Sequence, residues 1–245
     1  MYSIKKIKES LPKKKNSKSS IWVKIIIRKL SFIFTFIFIN LGSSAWFASI
    51  FSIFVALTGS VLLCINQPIY RIIGMILVEF WLVMDCVDGN IARVKKESSE
   101  TGEFIDALSG YYITAFVFLA IGVAAFNTSN IQIDKYIFII LGALTSITGI
   151  LARLIHQKYT YTLMTLERQS NKKETLPEDE VENKKSIQYI RNRVDKEIGI
   201  SGLFMPALII ATFLNKYDLL ILFYFLFQSL GLFAVTTYYS LKAKK

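Results

Sequence analysis

Six stretches of the chain, residues 43–65, 69–93, 103–126, 136–155, 199–214 and 219–240, are almost wholly apolar and together fill more than half of its 245 positions. A bilayer core takes ~20 apolar residues at ~1.5 Å rise each, so each stretch reads as a membrane-spanning helix, the fifth being the shortest. Apolar residues make up 53% of the chain and mean hydropathy is +0.45. That is more apolar surface than a soluble domain of this size could bury. The expected fold class is all-α, a polytopic membrane protein with six transmembrane helices.

A formal charge of +11 raises the question of nucleic acid, but such binding needs the basic residues on one face or groove. They are instead sorted by side. With loops assigned alternately to the two sides, only Arg71, Lys135 and Lys216 of the 29 Lys and Arg residues fall opposite the rest. By the positive-inside rule both termini and the end of the second span face the cytoplasm. No nucleic-acid partner is expected. A signal peptide is disfavoured because its basic region would be unusually long and cleavage would remove most of this charge bias.

The chain divides into a lysine-rich arm at 1–20, read as disordered and drawn to anionic lipid, a segment at 21–41, and the membrane domain at 43–240 with a short tail at 241–245. The segment 21–41 carries Lys24, Arg28 and Lys29 and then too few apolar residues to span. It reads as an amphipathic helix lying at the cytoplasmic interface, with "FIFTFIF" toward lipid. The one long connection, 157–197, is cytoplasmic, mixed in charge and interrupted by Pro177, with "IQYIRNRV" as a short amphipathic helix. Cys64 and Cys86 both fall within spans and read as small buried hydrophobes.

The second span ends in "DCVDGNIAR", and two carboxylates there need a reason. Asp85 and Asp88, three apart, share one side of a helix, and Ala92 lies almost beneath Asp85. After a short link the third span opens with "GEFIDALSG", which brings Asp106 in from an antiparallel neighbour. Ionised carboxylates near lipid cost several kcal/mol to desolvate unless a cation sits among them. All-oxygen ligation with open positions suits Mg²⁺ or Mn²⁺ with a substrate phosphate. Gly89 and Gly102 allow close approach, and a helix start favours an anion. Singly, each residue is as readily an interfacial acid or a helix-packing glycine.

Together, "DCVDGNIAR", eight further residues and "GEFID" form DxxDGxxAR(x8)GxxxD. This resembles the signature of the CDP-alcohol phosphotransferase family, also called CDP-alcohol phosphatidyltransferases. The resemblance implies a six-helix membrane fold with an interfacial first helix. It also implies transfer of a phosphoryl-alcohol group from a CDP-alcohol to an acceptor hydroxyl with release of CMP, in phospholipid or related glycolipid synthesis. Carried onto this chain, Asp85, Asp88 and Asp106 are metal ligands, with two divalent ions, Mg²⁺ or Mn²⁺, expected. Asp85, Gly89, Ala92, Arg93 and Gly102 then bind the nucleotide. CDP-diacylglycerol is the preferred donor, and a homodimer is left open as the assembly.

The family pattern closes with a fourth aspartate, a metal bridge and proposed general base, four residues after the third. Here that position is Gly110. Glu103 shares a helical face with Asp106 and Gly110 and is the substitute base, although nearly two turns, ~10 Å, separate it from position 110. Arg153, with His156 and Lys158, ends the fourth span and is the candidate for an acidic acceptor. Glu79, deeper in the second span, needs a partner that the sequence does not show. The alternative reading is a catalytically silent relative that binds metal or nucleotide as an accessory membrane protein. A cation transporter is disfavoured because the acids gather at one edge and not at midplane.

Overall fold

The structure, a computed structural model, describes residues 2–12, 16–17, 19–97, 100–170 and 196–242, and every regular element among them is helical. The order is α1 (Ile4–Glu9), a π-helical turn (Val23–Ile27) running into α2 (Arg28–Asn40), α3 (Ala45–Cys64), α4 (Pro68–Lys95), α5 (Glu100–Thr128) and α6 (Tyr136–Ser170). A second π-helical turn (Ile200–Phe204) leads into α7 (Met205–Leu214), and α8 (Tyr217–Lys242) ends the chain.

Local chemistry sets these boundaries. Ser44 caps α3, its hydroxyl accepting from the Phe47 amide at 3.1 Å, and Pro68 occupies the first turn of α4, where its missing N–H costs nothing. Helix α4 stops at Lys96, which takes a left-handed conformation (φ 58°) and lets the Glu97 amide return to the Ala92 carbonyl at 2.9 Å. Asn215 (φ 53°) ends α7 in the same way.

Among the described residues, five helices are long and apolar enough to cross a membrane: Ala45–Cys64, Thr101–Thr128, Tyr136–Leu166, Lys196–Leu214 and Tyr217–Lys242. The chain is thus built as an integral membrane protein. The expected second span forms α4, which is of spanning length but carries Arg71, Glu79, Asp85 and Asp88, a charge load that sets it apart from the other five.

Helix α3 packs along both α4 and α5, which touch each other little, so those two flank α3 and are not the packed neighbours expected from the sequence. The close approach of α3 to α4 rests on a glycine pair. A side chain added at Gly74 would stand 2.7 Å from the Gly59 carbonyl oxygen. Gly122 and Gly142 do the same between α5 and α6. Small residues let backbones meet where lipid offers no hydrophobic drive to associate. Beyond, α6 packs on α8, while α7 rests on α4 and α8. At the end remote from Asp88, Asp218 accepts from the Ser129 hydroxyl at 2.9 Å, and the Asn127 amide donates to the Cys64 carbonyl at 3.0 Å.

Three elements differ from expectation. Part of the arm read as disordered forms α1, because Tyr2 and Asn40 exchange backbone and amide hydrogen bonds (3.1 and 3.3 Å) and Ile7 is buried. Helix α6 continues to Ser170, with no Pro or Gly to stop it after Gly149 and with the Tyr159 ring centred 4.6 Å from that of Tyr239 of α8, tilted by 36°. The phenylalanines of "FIFTFIF" pack inward, Phe34 edge-on to Phe80 at 4.9 Å, while Ile33 and Ile37 face out. The expected helix "IQYIRNRV" lies outside the described residues. Cys64 and Cys86 are free thiols.

Gly122→Val would set its Cβ 2.5 Å from the Phe138 carbonyl oxygen and is expected to lower stability by about 1–3 kcal/mol. Gly231→Ala, with nothing within 4 Å of the added carbon, serves as the neutral control. Thermal unfolding of both in detergent checks the contrast.

Candidate functional site

Where α4 ends and α5 begins, a cavity of about 730 Å³ opens, and the eight residues singled out on these helices all line it: Asp85, Asp88, Gly89, Ala92 and Arg93 from α4, and Gly102, Glu103 and Asp106 from α5. The i, i+3 spacing of Asp85 and Asp88 places both on the cavity side of one helix.

Asp88 is the most enclosed of the acids, 5% exposed. Both its oxygens are met: the Ser49 hydroxyl of α3 donates to Oδ2 at 2.5 Å, and the Gly89 amide to Oδ1 at 2.5 Å. These bonds offset the desolvation of a buried charge and fix the direction of the carboxylate. Asp85 is half-buried, whereas Asp106 and Glu103, in the first turns of α5, are exposed.

Arg93 is held as firmly. Its Nη2 donates to Asn90 Oδ1 at 2.6 Å, and the fully buried Asn90 amide donates in turn to Ser31 and Thr35 of α2 at 3.3 and 3.0 Å. The guanidinium lies back over Gly89, where an added Cβ would be 3.1 Å from Nη1. Gly89 is therefore needed to seat the motif's own arginine as well as to admit a ligand. Beneath the acids, the Trp81 indole N–H donates to Ser109 Oγ at 2.8 Å, and Ser109 is 2.8 Å from Ser52 Oγ. One hydroxyl thus joins α3, α4 and α5 next to Gly110.

Arg153 does not line the cavity. Its Nη1 donates to the Gly110 carbonyl at 3.0 Å, and its guanidinium lies 5.9 Å from the Tyr111 ring. His156 bonds instead to the Tyr239 hydroxyl, and Lys158 lies 5.6 Å from the Tyr161 ring. Glu79 finds its partner in Trp22, whose indole N–H donates to Oε2 at 3.2 Å.

Ser49 and Arg28 are among the cavity residues that the sequence does not mark as part of a site. Ser49 gave no local signal. Arg28, 7% exposed, with Nη2 donating to Ser19 at 3.3 Å, belongs to a buried stripe Arg28, Ser31, Thr35, Ile39 at helical spacing. Polar residues at that period in an apolar helix are the sign of a buried polar face.

Three oxygen-donor carboxylates around one cavity suit a hard divalent ion. Among the described residues no three His, Cys, Asp or Glu side chains form a ready ligand group, so the acids share a cavity and not a closed cage. Residues 24–175 match the family model for CDP-alcohol phosphatidyltransferase. The chain belongs to this family. The match takes in α2 through α6, and so includes the helices α2 to α5 that line the cavity. No curated protein matches the chain. The family is one of transferases that move a phosphoalcohol from a CDP-alcohol donor to a hydroxyl acceptor.

Ser49→Ala deprives one oxygen of the buried Asp88 of its donor and is expected to lower stability by about 1–3 kcal/mol. Ser49→Thr, keeping the hydroxyl, stays closer to the parent. Thermal midpoints in detergent measure the difference.

Proposed function

We propose that the protein is a metal-dependent membrane transferase that moves a phosphoryl-alcohol group from a CDP-alcohol, with CDP-diacylglycerol the preferred donor, to an acceptor hydroxyl in phospholipid or related glycolipid synthesis. One observation carries this reading: the motif residues of α4 and α5 line a single cavity in a chain of this family. In the accompanying topology α4 also spans, as the second of six in chain order, α2 lies at the cytoplasmic interface, and the termini and cavity face the cytoplasm, as the charge bias argues.

Asp85, Asp88 and Asp106 would hold Mg²⁺ or Mn²⁺, which supplies positive charge to the diphosphate and to the oxygens that gain charge during displacement. Arg93, kept in place by Asn90, meets the phosphates with fixed N–H donors, and the start of α5 at Gly102 offers amides to the same anion. The acceptor oxygen forms a bond to the phosphorus of the transferred group as the bond to CMP breaks, and CMP leaves with that electron pair. The hydroxyl proton goes to Glu103, the carboxylate available on this wall once position 110 has none. Apolar walls from α3 and α4 limit water that would otherwise compete with the acceptor.

CMP release from CDP-diacylglycerol with a panel of small polar acceptors and Mn²⁺ or Mg²⁺ tests this. Asp88→Asn and Asp106→Asn are each expected to lower the rate about 100-fold or more, a loss of several kcal/mol of charge stabilisation, and chelation should abolish it. Glu103→Gln should lower the rate while leaving CDP affinity unchanged. A wild type that binds CDP but releases no CMP with any donor or acceptor would favour the silent accessory relative, the reading that Gly110 keeps in play.

A further inference from the structure

Two arginines line the cavity, and the motif on α4 and α5 contains only one of them. Arg93 belongs to the motif; Arg28 comes from α2, outside it. Arg28 is 7% exposed, an uncommon burial for a side chain that is always charged. Among the described residues neither head group is hydrogen-bonded to a carboxylate. Arg28 Nη2 donates to the Ser19 hydroxyl at 3.3 Å and Arg93 Nη2 to Asn90 Oδ1 at 2.6 Å, both neutral acceptors. The Nε–H of each is buried and meets no acceptor among the described residues. Asp88, the most enclosed acid, is likewise taken by neutral donors, Ser49 and the Gly89 amide.

The two arginines hang from one chain of hydrogen bonds. The Ser31 hydroxyl donates to the Arg28 carbonyl at 3.0 Å, the Asn90 amide donates to Ser31 at 3.3 Å, and Arg93 donates to Asn90. The turn of α2 that carries Arg28 is thereby fixed to the residue that holds Arg93. A guanidinium withdrawn from water without an opposite charge is costly, so two of them in one cavity call for an anion with more than one charged group. Each has five N–H donors in a plane and gives one of them to the protein. Paired N–H groups in that geometry are what phosphate oxygens accept. Asp85, Asp88 and Asp106 line the same cavity, and a divalent ion among them would take only some of the oxygens of a diphosphate. The remaining oxygens need donors of their own.

We propose that Arg28 is a second diphosphate-binding arginine of this cavity, gripping with Arg93 the phosphate oxygens that the metal does not take. The proposal rests on the metal–nucleotide reading of the cavity and deepens it, by bringing α2 into substrate binding. The buried stripe of α2 then has two duties: Ser31 and Thr35 hold Asn90, and Arg28, one turn earlier, meets the ligand. A selectivity follows. A diphosphate has oxygens enough to engage the metal and both arginines, whereas the monophosphate left after transfer has fewer to share. Loss of Arg28 therefore costs a diphosphate more than a monophosphate.

The test is equilibrium binding of CDP and of CMP to full-length protein in detergent with Mg²⁺, together with the thermal midpoint of the nucleotide-free protein. It compares wild type, Arg28→Met, Arg28→Lys and Lys29→Gln. Methionine keeps an unbranched stem suited to a buried position, and Lys29 is an exposed neighbour on α2, so its change removes the same charge outside the cavity. Arg28→Met is expected to weaken CDP binding about tenfold or more, as loss of charge-assisted hydrogen bonds does, and CMP binding by a smaller factor. Arg28→Lys, which keeps the charge without the planar fork, is expected to fall between wild type and Arg28→Met, and Lys29→Gln to match wild type. The nucleotide-free midpoint of Arg28→Met is expected at or above that of wild type, since no buried carboxylate loses a partner. Unchanged CDP affinity in Arg28→Met with a lowered midpoint would mark a purely structural arginine and overturn the proposal. So would CDP and CMP affinities reduced by one common factor, or an equal loss in Lys29→Gln. Normal CDP binding in Arg28→Met with a raised KM for a phosphorylated acceptor would put Arg28 on the acceptor and overturn it as well. All of these leave the transferase reading intact. If Arg28→Met does not fold, Arg28→Lys decides by the same comparison of CDP with CMP. Wild-type protein that binds neither nucleotide would overturn the metal–nucleotide reading itself and the proposal with it.

Discussion

A carboxylate enclosed by apolar helices is tolerable only where donors meet it, and the arrangement around Asp88 follows from that requirement. Its two oxygens are held by Ser49 and by the Gly89 amide, which obliges α3 to lie against the end of α4 with a hydroxyl at the right height. The Gly59–Gly74 contact further along the same pair brings the backbones close enough for so short a side chain to reach. With α3 fixed, Ser52 and Ser109 bring α5 to the other side of it, and Trp81 closes the arrangement from α4. The cavity is what remains between α4 and α5 once both are committed to α3.

Much of this was legible in the chain because the local code and the chemistry coincide. The apolar runs delimit the long helices, and the spacing of Asp85, Asp88 and Asp106 with their glycines announces a site for anions and a cation. What stayed hidden depends on partners distant in sequence. Nothing near Ser49 distinguishes it from any serine in an apolar helix; its importance comes from Asp88, 39 positions away. Arg28 has Lys24 and Lys29 as sequence neighbours, which suggests a surface charge, while its spacing to Ser31 and Thr35 marks the buried side. Gly110 was visible as a departure from the motif, but that Arg153 fills the space follows only from the packing of α6 on α5.

The helix boundaries teach a similar lesson. Composition marked the first twenty residues as too polar to order themselves, yet α1 forms because Tyr2 and Asn40 tie it to the end of α2. The fourth apolar run ends where polar residues begin, yet backbone hydrogen bonds in a helix continue past that point unless something stops them. Tyr159 and Tyr239, with His156, give the extension of α6 a neighbour on α8.

The chain of bonds from Ser31 and Thr35 through Asn90 to Arg93 has a consequence for how the cavity behaves. Its arginine wall is anchored to α2, which lies at the outside of the bundle with Ile33 and Ile37 turned away from the core. Such a helix answers to whatever surrounds it as much as to the core beneath it. Helix α4 is thus tied twice near the cavity, at Asp88 to α3 and at Asn90 to α2, so a shift of α2 bears on the whole end of α4 that carries both Asp88 and Arg93.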